Sequence, residues 1–463
     1  MSTVVQASRL PSTKWTERLE GEEQAEVEVN VTVAADGSGD FRTVGAAVDA
    51  APEKSKSRYV IEIKEGRYDE YVFVGKKKVN LMFVGAGRGR TVISGNRSVA
   101  DGLSTFQTAT LVGHATAAFI NYYSLQQNKL LRLMRNISVN KQLVALADAA
   151  VEGDLFLARD LTIENTAGPS KGQAVALRVK ANFSAFYNCD ILGYQDTLYA
   201  FHGRQFYRNC LIRGTVDFIF GNAAVVFQDC DIQVRQPNPG QENMVTAQGR
   251  NDPDEPTAIS IHRCRIGAEP GFNKSLNPSY LGRPWKEYSR AVIMQSNITE
   301  VIHPAGWHEW DGRFALDTLY YGEYNNSGPG ADTAQRVNWT GYRVIYNSTE
   351  AQQFAAGSLI TGSEWLGSTG FPYYLGLKVQ DDKGGVEGGA GKSNKRTVIY
   401  VKKWVYYENV RVKTKKWNVL ITGDGKNMTV VSGRPNTVDG TPTFSTATFG
   451  EANFFSRLIS NHN

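Results

Sequence analysis

A short phrase recurs along the middle of the chain, and this recurrence constrains the fold more than any other feature. It reads Phe186-Tyr-Asn-Cys-Asp-Ile, Tyr207-Arg-Asn-Cys-Leu-Ile, Phe227-Gln-Asp-Cys-Asp-Ile and Ile261-His-Arg-Cys-Arg-Ile. Ala291-Val-Ile-Met-Gln-Ser-Asn-Ile continues the series with Ser296 in the cysteine place, and Leu157-Ala-Arg-Asp-Leu-Thr-Ile is an earlier, looser copy. Each phrase is short, alternating and β-prone. A period of 20-odd residues built from such strands predicts an all-β solenoid, a parallel β-helix or a comparable coil. Equivalent residues then stack about 4.8 Å apart up the coil. Cys189, Cys210, Cys230 and Cys264 therefore have two readings: a buried stack of small side chains, or disulfides between neighbouring rungs.

The same period locates chemistry. Asp196, in Gly193-Tyr-Gln-Asp-Thr-Leu-Tyr, and Asp217, in Gly214-Thr-Val-Asp-Phe-Ile-Phe-Gly-Asn, are separated by the interval that separates Cys189 from Cys210. If the cysteines are in register, so are the aspartates. Gln173 and Gln195 lie about one interval apart as well. Two carboxylates this close resist double ionisation, so one can hold a proton while its neighbour is charged. That division suits an acid beside a nucleophile or base. Neutral amides can donate to a developing oxyanion. The alternative is a polar ladder at solenoid turns. Arg283 and Trp285, in Tyr280-Leu-Gly-Arg-Pro-Trp, offer a fixed cation and an aromatic platform, although a surface Arg beside a packed Trp is the commoner outcome.

Composition narrows the classes. The 463 residues are 41% hydrophobic, enough for a large core, and the net charge of +5 is too mild to indicate nucleic acid. No run of 18 apolar residues exists, so no membrane span is expected. The first 20 residues lack the apolar stretch of a signal peptide. The six histidines are scattered without a ligand pattern, so no metal is expected.

These phrases closely resemble the signatures of plant pectin methylesterases (pectinesterases). So do Gln173-Ala-Val-Ala-Leu-Arg and the opening Val33-Ala-Ala-Asp-Gly-Ser-Gly-Asp-Phe. The match runs from about Val31 to Leu377, where Gly370-Phe-Pro-Tyr-Tyr-Leu-Gly-Leu resembles the family's C-terminal end. The resemblance implies a right-handed parallel β-helix and removal of methyl esters from homogalacturonan, with no cofactor. It implies Asp217 as nucleophile, Asp196 as acid and then base, and Gln195 in the oxyanion hole. Gln173, Arg283, Trp285 and Thr105 would contact substrate, with Arg283 also orienting Asp217. It further implies a secreted enzyme of the plant cell wall, with pectin as partner, and admits a proteinaceous pectinesterase inhibitor as a second.

Two features depart from the family. About residues 114–149, between the Thr110-Leu111 strand and Val151, roughly 35–40 residues intervene where the family passes almost directly on. Within them, Tyr122 to Arg135 lacks strand alternation and reads as a short helix. The second departure is the tail. After a Gly-rich linker at residues 378–395, residues 396–463 repeat the sequence from Arg58 onward at an offset of 338, with 24 of 53 positions identical. They read as a truncated second copy of the first rungs, ending before any site residue. Residues 1–30 are polar and read as a disordered or linker segment, leaving 31–377 as the esterase-like domain.

Two other functions compete. A glycosidase or lyase on the same polymer would also use paired carboxylates. A pectin-binding protein without activity would result if the insertion spoiled the groove. A serine esterase is disfavoured, because no G-x-S-x-G occurs.

Overall fold

The computed structural model describes residues 3–6, 28–113, 154–377 and short strands between 397 and 458. Contacts divide the chain into two units, Trp15–Leu377 and Met1–Lys14 with Lys378–Asn463.

The larger unit is a parallel β-helix. Three parallel sheets of eleven, eight and seven strands share the coil, and each turn of chain adds one strand to each sheet. Sequence explains the register. Phe186 pairs with Tyr207, and Tyr207 with Phe227. Their rings stack inside the coil at 4.8 Å and again at 4.8 Å, the spacing of adjacent strands. The residue before each cysteine, and before Ser296, turns the corner between two sheets. Asn188, Asn209, Asp229, Arg263 and Gln295 all have φ between 50° and 58°, the left-handed region. Asn and Asp tolerate that region best, which accounts for three of the five.

The cysteines themselves form a buried ladder of free thiols. The Cys230 backbone N–H donates to Cys264 Sγ at 3.3 Å, and that of Cys264 to Ser296 Oγ at 3.1 Å. Serine thus continues the thiol stack, and the disulfide reading does not hold.

The first end and one outer face of the coil are covered. The helix Val44–Ala50 buries Val44, Ala47 and Val48 against the first rung. Its first N–H groups, on Val44 and Gly45, donate to the two carboxylate oxygens of Glu70 at 2.8 and 2.9 Å, satisfying donors that have no helical partner. On the eleven-stranded sheet, outward-facing Phe206, Val226 and Leu157 lie under Ile360, Trp365, Leu366 and Phe371. Strands of that sheet are therefore apolar on both faces. No helix among the described residues is long and apolar enough to cross a membrane.

One clamp in this cover titrates. Gln228 exchanges two hydrogen bonds with the Tyr374 backbone, at 2.8 and 2.9 Å. Gln228 also donates toward His262 Nδ1 at 3.5 Å, and the His262 Nε2 side meets Gln295 Oε1 at 3.0 Å. The ring is wholly buried, and burial lowers its pKa to about 4; the charges of Arg263 and Arg208 push the same way. The unfolded chain then takes up the proton first. His262 stabilises fully above its ordinary pKa of 6.5, and that stability is lost as pH falls toward about 4. The loss is worth roughly 3 kcal/mol. Urea unfolding at pH 7 and pH 4 should show His262→Gln losing less stability on acidification than the parent by about that amount. Equal losses would contradict the assignment.

In the smaller unit, strand pairing can be compared with the larger. Thr397–Val401 pairs with Val419–Gly423 from Thr397↔Val419 onward, and Tyr59–Ile63 pairs with Leu81–Gly85 from Tyr59↔Leu81 onward. Every pair is displaced by 338. The pairs Trp404↔Thr429 and Val410↔Phe449 keep the same displacement from Gly66↔Thr91 and Val72↔Leu111. The next strand differs. Met82↔Leu157 spans 75 residues and Leu420↔Phe455 spans 35, a difference of 40. The helix expected over Tyr122 to Arg135 and the linker at 378–395 lie outside the described residues. At the N-terminus, Thr3–Gln6 is a strand paired with Thr397–Val401 and not part of a linker. Its Thr-Val-Val-Gln sequence is β-prone.

Candidate active site

The seven-stranded sheet carries the site on its outer face. In this sheet Leu177 pairs with Leu198 and Leu198 with Ile219. Asp196 and Asp217 stand at equivalent places, each two residues before its strand residue, and the Asp196 N–H donates to Val216 O at 3.0 Å. Both aspartates sit in the left-handed region, with φ of 63° and 52°. A corner residue's side chain leaves the sheet at its rim, which is how two adjacent turns aim two carboxyls into one cleft. Gly214 permits the close approach: a Cβ there would meet Phe218 Cβ at 2.2 Å. Thr197 Oγ1 ties the turn down by donating toward Tyr194 O and Arg213 O, both at 3.0 Å.

Arg283 follows the strand Ser279–Gly282 two rungs on. Its Nε and Nη2 donate to the two oxygens of Asp217, each at 2.8 Å. Such a bidentate pair strongly favours the charged carboxylate. The indole of Trp310 lies 4.4 Å from the guanidinium carbon. Burial raises the pKa of Asp217, and Arg283 pulls it back by hydrogen bonding and charge. Asp196 has no such clamp. Burial first, and then the charge of Asp217, hold its carboxyl well above the usual range, with Arg283 opposing only weakly from a distance. The geometry thus orders the pair, with the proton on Asp196 and the charge on Asp217.

Thr105, Gln173, Gln195 and Trp285 line the same cleft as the aspartates and Arg283. All seven residues singled out in the sequence therefore meet in one place. Trp285 rests on Gly249, where a Cβ would lie 2.6 Å from its ring. Five further lining residues were not singled out: Phe106, beside Thr105, and Tyr199, Phe220, Ala247 and Trp310. Tyr199 and Phe220 pair across adjacent strands with rings stacked at 4.2 Å, and Trp285 stands edge-on to both. Each lies three residues after a site aspartate, so the repeat interval could have found them. Ala247 pairs with Phe220 and leaves room beside it. Trp310 comes from an irregular loop that no repeat predicts.

The cleft can thus place a carbonyl between an ionised carboxylate and a proton donor, with amides alongside and aromatic faces flanking. No titrating group outside the pair is needed for acyl transfer.

A sequence model of one family, described as pectinesterase, matches residues 30–129, 126–363 and 383–463. "Pectinesterase 1" of Citrus sinensis is 57% identical over 357 residues, covering 77% of this chain and 55% of that protein. The chain thus spans about half the length of that relative. "Pectinesterase" of Daucus carota is 56% identical over 350 residues, 75% of this chain and 98% of that protein. Among solved structures, "Pectin methylesterase from Carrot" is 55% identical with a TM-score of 0.67, covering 77% of this chain and all of that one. The pectin methylesterase of Aspergillus niger is 28% identical with a TM-score of 0.56, covering 76% of this chain and 98% of that one.

Proposed function

The chain belongs to the pectinesterase family, and from that premise we propose that it is a pectin methylesterase. It hydrolyses methyl esters of homogalacturonan to free uronate and methanol. One observation carries the reading: of two buried carboxyls in one cleft, Arg283 clamps Asp217 alone. Asp217, held ionised, attacks the ester carbonyl carbon. Asp196 gives its proton to the departing methoxy oxygen, so methanol leaves and a uronyl–Asp217 anhydride remains. Asp196, now charged, takes a proton from water. The resulting hydroxide attacks the uronyl carbonyl of the anhydride and expels Asp217 as the carboxylate; the uronic acid formed loses its proton to solvent as uronate, and Asp196 is left protonated as at the start. Amides of Gln195 and Gln173 donate to the tetrahedral oxyanion in each half. Tyr199, Phe220 and Trp285 offer faces to the sugar rings, and Thr105 contacts the polymer at the cleft's edge.

Residues 31–377 are the catalytic domain in this reading, acting in the plant cell wall. A proteinaceous pectinesterase inhibitor is a candidate partner, in keeping with relatives such as "Pectinesterase/pectinesterase inhibitor 3" of Arabidopsis thaliana. Residues 396–463 are a partial second copy of the first rungs, supported by pairing that repeats at 338. The 40-residue difference between the two copies marks an insertion in the first.

Methanol and new reducing ends should be measured together on methylated pectin. Methanol without reducing ends is the expected result; reducing ends would instead support a glycosidase or lyase. A chain lacking residues 114–153 restores the spacing of the second copy and should release methanol at least as fast. Loss of release, with the β-helix still folded, would mean that those residues belong to the site.

A further inference from the structure

We propose that Gln248, wholly buried and outside the cleft lining, is a positioning residue that holds Trp285 in place as a platform for a sugar ring. The inference rests on the methylesterase reading, in which Trp285 faces the polymer, and it assigns a role to a side chain that touches no substrate.

Residues 283–289 connect the strand Ser279–Gly282 to the strand Arg290–Met294 and carry both the Asp217 clamp and Trp285. The two ends of this connection are held by different groups. At its start, the Arg283 N–H donates to Thr246 O at 3.0 Å and its guanidinium grips Asp217. At its finish, the Arg290 N–H donates to Gln248 Oε1 at 2.7 Å. The same oxygen accepts the Arg250 N–H at 2.9 Å. Arg250 then reaches back into the connection: the Tyr288 N–H donates to Arg250 O at 3.1 Å, and Arg250 Nη1 donates to Tyr288 O at 3.4 Å. Between Gln248 and Arg250 lies Gly249, the residue on which the indole of Trp285 rests. One carboxamide oxygen thus fixes the floor under the indole and the returning end of the loop that carries it.

The carboxamide suits this task because its oxygen has two lone pairs and its nitrogen two protons. Two N–H donors at Oε1 settle which way the amide points. Nε2 then donates to Asn222 Oδ1 at 3.2 Å. Asn222 is itself held, with Nδ2 donating to Glu255 Oε2 at 2.7 Å and Thr257 Oγ1 donating to its Oδ1 at 2.5 Å. It follows the strand Ile219–Gly221, whose Phe220 meets Trp285 edge-on at 5.9 Å, and Gly221 pairs with Gln248 across the sheet. The network therefore ties two neighbouring rungs to one aromatic platform. Methionine at position 248 would match the glutamine in length but offer only a weakly accepting thioether, so the N–H groups of Arg250 and Arg290 would lose their acceptor. Since Arg283 is anchored separately, the loss falls on Trp285 and on substrate binding, with the chemical step spared.

The test is a double-mutant cycle on the full chain with methylated pectin, comparing the parent, Gln248→Met, Trp285→Ala and the double variant, with circular dichroism as the fold control. Gln248→Met should raise KM by about three- to tenfold and leave kcat within about twofold. The double variant should show a KM no higher than Trp285→Ala alone, because the platform that Gln248→Met misplaces is already gone. KM effects that multiply in the double variant, an unchanged KM in Trp285→Ala, or a fall in kcat at unchanged KM in Gln248→Met would overturn the proposal. Asn222→Ala, which takes away the acceptor for Gln248 Nε2, runs the same cycle should Gln248→Met fail to fold. In parallel, the indole N–H resonance of Trp285, assigned through Trp285→Phe, should move between the parent and the folded variant; an unmoved resonance would also overturn the positioning role. Absence of methanol release from the parent would sink the esterase reading, while the resonance still decides whether Gln248 positions Trp285.

Discussion

Asp217→Asn should lower methanol release by at least about a thousandfold while the β-helix stays folded. The amide is nearly isosteric but a far poorer nucleophile. It also cannot accept two charge-assisted hydrogen bonds from Arg283, so the guanidinium loses the partner it holds at 2.8 Å on both nitrogens. The fold should survive because the coil is held by the stacked interior, Phe186, Tyr207 and Phe227 among it, and not by the rim. Initial rates on methylated pectin, with circular dichroism as the control, check this. A folded variant with near-normal release would remove Asp217 from the nucleophile's role.

The second large effect is expected at Gln195. In the proposed mechanism its neighbour Asp196 supplies the proton, and the Gln195 amide donates to the oxyanion without competing for that proton. Gln195→Ala should lower kcat by roughly 100- to 1000-fold, about 3–4 kcal/mol of transition-state stabilisation. KM should change much less, because the aromatic faces of Tyr199, Phe220 and Trp285 remain. A raised KM with unchanged kcat would place Gln195 in ground-state binding instead.

Much of this was legible in the sequence because a β-helix writes its geometry into spacing. The interval between Cys189 and Cys210 is also the interval between Asp196 and Asp217, since both pairs sit one turn apart on the same coil. The corner residues were legible in part. Asn188 and Asn209 are natural at positive φ, but Arg263 and Gln295 occupy the same corner without a tell-tale side chain. Trp310 was not legible, since an irregular loop carries no period. Nor was the cover of Ile360, Trp365 and Phe371 on the outer sheet, because short helices and turns carry no strand period. The pairing of Thr3–Gln6 was hidden for another reason: four residues in a polar stretch give too short a pattern to read.

The central claim is that Asp217 becomes covalently acylated while Asp196 manages the proton. Hydroxylamine tests it most directly, because it attacks an anhydride at either carbonyl. With methylated pectin turning over in its presence, the peptide containing Asp217 should acquire a hydroxamate, detectable by mass spectrometry, and enzyme without substrate should acquire none. Sustained methanol release with no substrate-dependent hydroxamate on Asp217 would contradict the covalent route and leave water as the direct attacker.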